Sequence, residues 1–317
     1  METARLDPDP VLSTTEVGEL FGVHPSTVKR WCDRGRLRFS RTDGGHRRIR
    51  LSEALQRARD EEIPLPLRAF GGEAGSVWEA SRAAVEDGDY RRARALARAW
   101  LDAWRVEAIG ELFVHLGRHT EANLSRLFDD GIRLVLRDVG ERWAEGTLGV
   151  GQEHLLSETV TNALHRLRRV RVRWRHLDEG HLENQESRPV ALVGCAQGER
   201  HALGARCVQV ALEREGWFVH FLGSDLPLDE WPVLQARTGA SLLCVSFSSL
   251  RSRAEVLRCI RSLSERYDRS RPYRLALGGA GEGLDEVGRT EPFQDVASFR
   301  TVGDLLPWLA ANGNGRD

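Results

Sequence analysis

The chain has 317 residues, enough for two or three domains, and its charges nearly cancel, with 46 Lys and Arg against 47 Asp and Glu. No run of about 18 apolar residues occurs, which excludes a transmembrane helix, and the start METARLDPDPVLST lacks the basic-then-apolar order of a secretory signal. The five cysteines (Cys32, Cys195, Cys207, Cys244, Cys259) have no CxxC spacing, and four sit in apolar runs. They predict small buried thiols in a reducing cytoplasm, not a disulfide frame or a zinc site.

In chain order, STTEVGELFG predicts a capped first helix, with Ser13 as N-cap and Glu16 three residues on. GVH is a turn, and PSTVKRWCDRG is a second short helix with Pro25 in its first turn and Gly35 beyond its end. LRFSRTDGGHRRIRL reads as two strands about a Gly-Gly turn, and LSEALQRARDEE opens a third helix. Residues 24–50 hold nine Lys and Arg against Asp33 and Asp43, so the basic charge is local and points to a polyanion.

Two short helices about a tight turn can place the second in the major groove of DNA. That helix is expected to expose Ser26, Thr27, Lys29 and Arg30 and to turn Val28 and Trp31 inward. The DGGHRR turn adds His46, Arg47 and Arg48 as a wing along the phosphates. A merely solvated basic surface is the alternative; the conjunction of basic helix, basic wing and helix spacing weighs against it. The stretch STTEVGELFGVHPSTVKRWCDRGRLRFSRTDGGHRRI resembles the winged-helix DNA-binding domain of the MerR and excisionase-like families. This implies double-stranded DNA as a partner and a domain over residues 1–60. The long dimerisation helix of metal-sensing MerR proteins is missing, so self-association has to come from elsewhere in the chain.

Residues 61–76, with two prolines and three glycines, read as a linker. Residues 77–177 lack proline and are rich in Ala, Leu, Arg and Glu at helical spacing. A hairpin broken at DGD and two further helical stretches predict a bundle of four or five helices, domain 77–185, ending in the polar connector HLDEGHLENQES. The run LHRLRRVRVRWRH, residues 164–176, has six arginines and reads as a solvated helix end. From 189 the rhythm becomes βαβ: PVALVGCA, VHFLG, SLLCVSFS and RLALGG are short apolar runs separated by amphipathic helices. The expected fold is thus multidomain: an α-rich winged helix-turn-helix, a helical bundle, and a Rossmann-like α/β parallel sheet over residues 186–317.

Ligand sites in open parallel sheets lie beyond the carboxyl ends of the strands. There the sequence places His201, in GERHALGAR, with Glu199 two residues earlier to accept the second ring N–H and fix the tautomer. Taken alone, such a histidine is more often a hydrogen-bonded loop residue than a metal ligand. The other strand ends shift that balance. Gly204, Gly223, Asp225, Ser246, Ser248, Ser249, Gly278, Gly279 and Gly281 are small or polar and leave a groove for something long. The pattern E-x-H-x-x-G, a strand-end serine, then G-G resembles the cobalamin-binding domain of methionine synthase and its relatives. By that resemblance His201 is the lower axial ligand of cobalt, Glu199 its orienting partner, and Ser246 with Gly278 and Gly279 line the pocket of the nucleotide tail. Ser248 competes with Ser246, because Ser248-Ser249-Leu250 also fits S-x-L.

In ERWAEGTLGVGQEHLLSETV, three glycines are expected to break the helix between Trp143 and Glu153-His154. The order of a MerR-like reader, a helical bundle with W-x(9)-E-H and a cobalamin-like domain resembles the CarH/LitR-type photoreceptors over nearly the whole chain. That resemblance implies adenosylcobalamin, with Trp143, Val150, Glu153 and His154 packed over the upper corrin face, and a DNA-binding homo-oligomer, dimer or tetramer, altered when light breaks the cobalt–carbon bond. It further implies a cytoplasmic regulator with no membrane partner and no enzymatic activity. Where family members carry a histidine after the tryptophan, this chain has Ala144. Alanine cannot ligate, so a second histidine on cobalt has to be His154, His115 or His119 or be absent. Ala144 also keeps open a sensor for another chromophore (a bilin beside the cobalamin) or for redox state. A corrinoid methyl carrier is the remaining alternative, disfavoured by the DNA reader.

Overall fold

Ser13 Oγ accepts the Glu16 N–H while the Glu16 carboxylate accepts the Ser13 N–H at 2.6 Å, so the expected capping box starts helix α1 (Thr14–Phe21). Such a cap contributes about 1 kcal/mol. Gly22, at φ 66°, ends the helix in the left-handed region, and His24 caps α2 (Pro25–Asp33), whose first residue is the proline. Strands β1 (Val11–Ser13), β2 (Ser40–Arg41) and β3 (Arg47–Arg50) form an antiparallel sheet in the order β1-β3-β2, followed by α3 (Leu51–Asp60). Leu12, Val17, Val28 and Ile49 are buried between them.

The structure, a computed structural model, describes residues 9–311 apart from 62, 64, 120–123, 176–187, 285–291 and 294. The connector HLDEGHLENQES therefore lies outside the described residues. Contacts divide the chain into two units, Met1–His119 and Thr120–Asp317.

In the first unit the stretch read as a linker supplies core. A 3-10 segment, Pro66–Glu73, buries Leu67 and Phe70, and Leu65 just before it is also buried. Phe70 stacks on Trp100, whose indole N–H donates to Glu73 at 2.9 Å. Composition marked turns here; the spaced apolar residues among the prolines and glycines decided the packing. Helices α4 (Ala74–Glu86) and α5 (Arg91–Asp102) break at DGD as expected, and α6 (Val106–His119) follows. Arg82 of α4 reaches the capping carboxylate Glu16 at 2.9 Å, tying the helix-turn-helix to α4.

The second unit holds the rest of the helical stretch, so the helices expected as one 77–185 bundle fall into both units. They are α7 (Leu124–Arg126), a π-helical turn (Leu127–Ile132), α8 (Arg133–Ala144) and α9 (Val150–Arg175). The expected break between Trp143 and Glu153 is present, with Gly146 at φ 71°. Strand β4 (Val190–Cys195) is apolar throughout and buried on both faces, as a central parallel strand requires. Then come α10 (Leu203–Arg214), β5 (Phe218–Gly223), α11 (Glu230–Thr238), β6 (Leu242–Phe247), α12 (Arg253–Glu265), β7 (Arg274–Gly279), β8 (Asp295–Phe299) and α13 (Val302–Ala311). The five strands are parallel in the order β5-β4-β6-β7-β8. β8, like β1 in the first unit, is a strand the sequence reading did not anticipate. One face packs Trp231, Val256 and Ile260 from α11 and α12; the other packs Ala205, Leu212, Leu305 and Leu309 from α10 and α13. The chain leaves β4 toward β5 and returns to its other side at β6, so a crevice opens at the carboxyl ends of β4 and β6.

Two sets of contacts fasten the helices of this unit to its sheet. The π-helical turn presents Asp129, a buried carboxylate, to the first N–H groups of α13, Val302 at 2.9 Å and Gly303 at 2.8 Å. Burial raises its pKa despite these bonds. Arg168 of α9 forks onto Glu213 of α10 with both contacts at 2.7 Å. The expected solvated helix end is thus anchored at Arg168; the side chains of residues 169–175 lie outside the described set. Among the described residues no helix is long and apolar enough to cross a membrane.

His115 of α6 is buried beside His119 and Phe70, and burial, then the neighbouring His119 and Arg118, lowers its pKa to about 3. The folded chain therefore stays neutral at His115 while the unfolded chain binds a proton below its ordinary value of 6.5. The folded state loses stability as pH falls from 6.5 towards 3, by up to about 1.4 kcal/mol per pH unit for this one proton. Urea titrations between pH 7 and 4 are expected to show this slope in the wild type and a shallower one, by about one proton, in His115→Phe.

Candidate functional site at the strand switch

The loop after β4 turns at Gly198, φ 81°, and buries Glu199 completely. Glu199 Oε1 accepts the His201 backbone N–H at 2.8 Å and its ring Nδ1–H at 2.7 Å. Oε2 accepts the Ser248 backbone N–H at 2.8 Å, from the loop after β6. Burial works against the Glu199 charge, but hydrogen bonds from the Ser248 hydroxyl and N–H and from His201 outweigh it and hold the pKa at about 2. With Nδ1 engaged, the lone pair of His201 is on Nε2, and the side chain is 62% exposed. The product is an imidazole held from behind and open in front, a geometry that suits a histidine ligand to a transition metal. Among the described residues no group of three or more His, Cys, Asp or Glu could hold a metal ion.

The groove beside it is floored by small residues. Cys195 pairs with Ser246, and Ser246 with Gly278, across the three central strands. A Cβ on Gly204, at the start of α10, would meet Ser246 Oγ at 3.7 Å, and one on Gly278 would meet only the Phe299 carbonyl at 3.9 Å. Ser246 thus lies beside Gly204 at the strand end, whereas the Ser248 N–H holds Glu199. Asp225, in the left-handed region at φ 55°, donates its N–H to the Glu199 carbonyl at 2.8 Å and accepts the Gly198 N–H at 2.6 Å. It shapes the histidine loop. The cysteine thiols at Cys195, Cys207, Cys244 and Cys259 are pushed up to about 12, first by burial, and all five cysteines are free and buried.

On the helices of the same unit, Trp143 and Val150 are 52% and 54% exposed and Leu155 is 39% exposed. Trp143 is therefore not a core residue, the plain alternative for a helical tryptophan. Glu153 accepts from Ser157 at 2.7 Å and pairs with His154 Nδ1 at 2.6 Å. Ala144, exposed, ends α8.

In the first unit, Ser26, Lys29 and Arg30 are exposed on α2 and Thr27 is half-buried, while Val28 is buried and Trp31 lies edge-on to Phe21 with Arg57 over its ring. Arg30 donates to Thr27 Oγ1 at 3.1 Å, and Ser26 Oγ lies 2.8 Å from the capping His24 ring. His46 is exposed in the β2–β3 turn. Arg47 is drawn inward, paired with Asp33 and over Phe39, and Arg48 is half-buried. The sequence reading did not single out Arg251 or Asp129, which carry no motif.

Gly279, at φ 112°, has no room for a side chain: an added Cβ would stand 2.0 Å from the Phe247 carbonyl oxygen. Gly279→Ala is expected to lower the urea midpoint by the equivalent of about 3 kcal/mol or more, and Gly204→Ala, with only an ordinary contact to meet, to change stability by less than about 1 kcal/mol.

Residues 11–53 match a family of helix-turn-helix domains, and residues 77–168 match the B12 binding domain family. The chain is 28% identical to the HTH-type transcriptional repressor CarH of Myxococcus xanthus over 67% of its length and 70% of that protein. It is 24% identical to the repressor CarA of the same organism over 84% of its length and 85% of that protein. The solved monomethylamine corrinoid protein of Methanosarcina barkeri is 18% identical, with a TM-score of 0.44, covering 63% of this chain and 90% of that one. A helix-turn-helix match ahead of a B12-binding-domain match, together with the two repressors, makes the chain similar to CarH-type cobalamin-binding transcriptional regulators.

Proposed function

We propose that the chain is a light-responsive regulator that holds adenosylcobalamin at the strand switch and couples its upper-ligand state to assembly on DNA. The observation that carries this reading is the open Nε2 of His201, its ring fixed by a fully buried Glu199. The residues present fit the group: one imidazole faces outward, and the adjoining strand ends carry Gly204, Ser246, Gly278 and Gly279, where larger side chains would fill the groove. His201 would ligate the cobalt, Glu199 and Ser248 hold its tautomer, the small residues would line the pocket of the nucleotide tail, and Asp225 keeps the loop in shape. Bound there, adenosylcobalamin supplies a cobalt–carbon bond that visible light cleaves.

Trp143, Val150, Glu153 and His154 form the cover of the upper face. Their apolar surface, exposed here, gains cover in one ligand state and loses it in another, and only such a difference can bias the helices between two arrangements. Ala144 supplies no ligand; His154, with Nδ1 on Glu153 and a side chain 75% exposed, is one candidate in its place, along with His115 and His119. The DNA reader uses Ser26, Thr27, Lys29 and Arg30, with His46, Arg47 and Arg48 as wing. One small reader binds weakly, so a homo-oligomer, dimer or tetramer, supplies the avidity. The proposed division is a DNA-binding domain to residue 60, a helical cap over 77–185 and a cobalamin-binding sheet over 186–317. No residue is assigned a catalytic role. Ala144 favours one second reading, a different signal at the same groove, either redox state or a bilin beside the cobalamin.

Protein mixed with adenosylcobalamin in the dark and desalted is expected to stay coloured, and His201→Ala to retain less than about a tenth as much. Green or blue light is expected to change both the absorption spectrum and the operator shift of the wild type. A colour change without a DNA response would reject the switch and keep the cofactor site; a spectrum belonging to another tetrapyrrole would favour the second reading. Lys29→Ala is expected to weaken binding on all DNA sequences and to reduce the slope of log affinity against log salt by about 0.9 per reader, measured by fluorescence anisotropy.

A further inference from the structure

Arg251 lies outside every motif of the sequence, yet it is built into the histidine loop. Its Nε is 3.5 Å from Glu199 Oε2, and its Nη1 is 2.9 Å from Glu255 Oε1. Glu255 is itself fixed, because its other oxygen accepts the Ser252 N–H and hydroxyl, each at 2.8 Å, in the capping box of α12. The Arg251 backbone is pinned at both ends: its N–H donates to the Ser248 carbonyl at 3.1 Å, and its carbonyl accepts the Glu282 N–H at 3.0 Å. The guanidinium lies against the bare Cα of Gly198, where an added Cβ would come within 3.0 Å of Nη1. Its side chain is 21% exposed, and Nε is buried with no hydrogen-bond partner.

The contacts form one line, from the His201 ring through Glu199 and Arg251 to Glu255 and the start of α12. Glu199 has no exposed surface, so its charge is compensated by donors and by a paired cation, Arg251. Without that cation the buried carboxylate would be less well compensated, and its side chain would turn towards water or another donor. Either movement takes Oε1 away from the imidazole.

We propose that Arg251 is a positioning residue of this site, holding Glu199 across the loop so that His201 presents Nε2 outward in a single tautomer for cobalt. This rests on His201 as the ligand, and it adds a residue that acts two contacts away from the metal. Arginine suits the place because one planar group addresses two carboxylates.

The test uses full-length protein with Arg251→Gln, Arg251→Lys and Glu255→Gln. In cofactor-free protein, nitrogen-15 NMR of the His201 ring is expected to report the Nδ1–H tautomer in the wild type, a mixture of tautomers in Arg251→Gln, and largely restored Nδ1–H in Arg251→Lys. Affinity for hydroxocobalamin, followed by its visible spectrum, is expected to fall about ten- to a hundred-fold in Arg251→Gln, and less in Arg251→Lys and Glu255→Gln. Wild-type tautomer and affinity in folded Arg251→Gln overturn the proposal. Equal losses in Arg251→Gln and Arg251→Lys with no change of tautomer also overturn it, because they would mark a general packing role. If His201→Ala binds hydroxocobalamin as tightly as wild type, the ligand assignment fails instead, and the tautomer measurement still decides whether Arg251 orients the ring.

Discussion

A carboxylate with no exposed surface sits where the chain reverses direction across the sheet, and the site is organised around keeping it charged. Glu199 draws donors from two loops that are distant in sequence, its own after β4 and the Ser248 loop after β6. A buried ion without donors would be neutralised or expelled. Satisfying Glu199 therefore fixes both loops at once and, as a by-product, aims the histidine. Asp225 adds a third loop by trading hydrogen bonds with Gly198 and the Glu199 carbonyl. The carboxyl ends of β4, β5 and β6 are thus laced together before any cofactor is present, so little ordering cost remains to be met on binding.

The same device, one acidic side chain answering donors on another element, recurs at three further junctions within the two units. Glu16 closes the cap of α1 and takes Arg82 of α4, which joins the DNA reader to the helices behind it. Asp129 accepts the first N–H groups of α13, which joins the π-helical turn to the sheet, and Glu213 takes the fork of Arg168. The Asp129 contact falls within the π-helical turn. A residue held on a distant helix N-terminus constrains the local winding, and an extra residue in the turn accommodates it. Polar junctions of this kind are direction-specific where apolar packing is not, so they favour a few discrete arrangements of the elements over continuous sliding.

Much of this was legible in the sequence, for identifiable reasons. The capping box at Ser13 and Glu16, the Pro25 helix start, the break at DGD and the four anticipated strands are local patterns, and local patterns survive folding when neighbours agree with them. Glu199 and His201 were readable because their contact spans two residues. Contacts across many residues were not. Ser246 and Ser248 are chemically the same, and only the register of β6 tells which lies at the strand end beside Gly204. Arg251 and Asp129 gain their meaning from partners 52 and 173 residues away, with no spacing to mark them. The Pro- and Gly-rich stretch after α3 looked like a linker because its composition outweighed Leu65, Leu67 and Phe70, three side chains that a fold with an open apolar face will bury.

The energy available to a switch at this site is bounded by the same surfaces. A tryptophan buries about 150–250 Å², so covering the exposed half of Trp143 is worth roughly 2–3 kcal/mol, with a smaller addition from Val150. That lies in the ordinary range of coupling free energies, about 1–3 kcal/mol or 5- to 150-fold in affinity. Such a bias acting on one small reader would change DNA occupancy only modestly. Acting on an assembly in which several readers bind together, it multiplies, because each reader lost from the complex removes its own share of phosphate contacts. On the proposed reading, a small winged helix joined to a cofactor-binding domain therefore gains most if the ligand controls association and the association controls DNA binding. This is the physical reason to look for the response in the oligomer rather than in the fold of the reader.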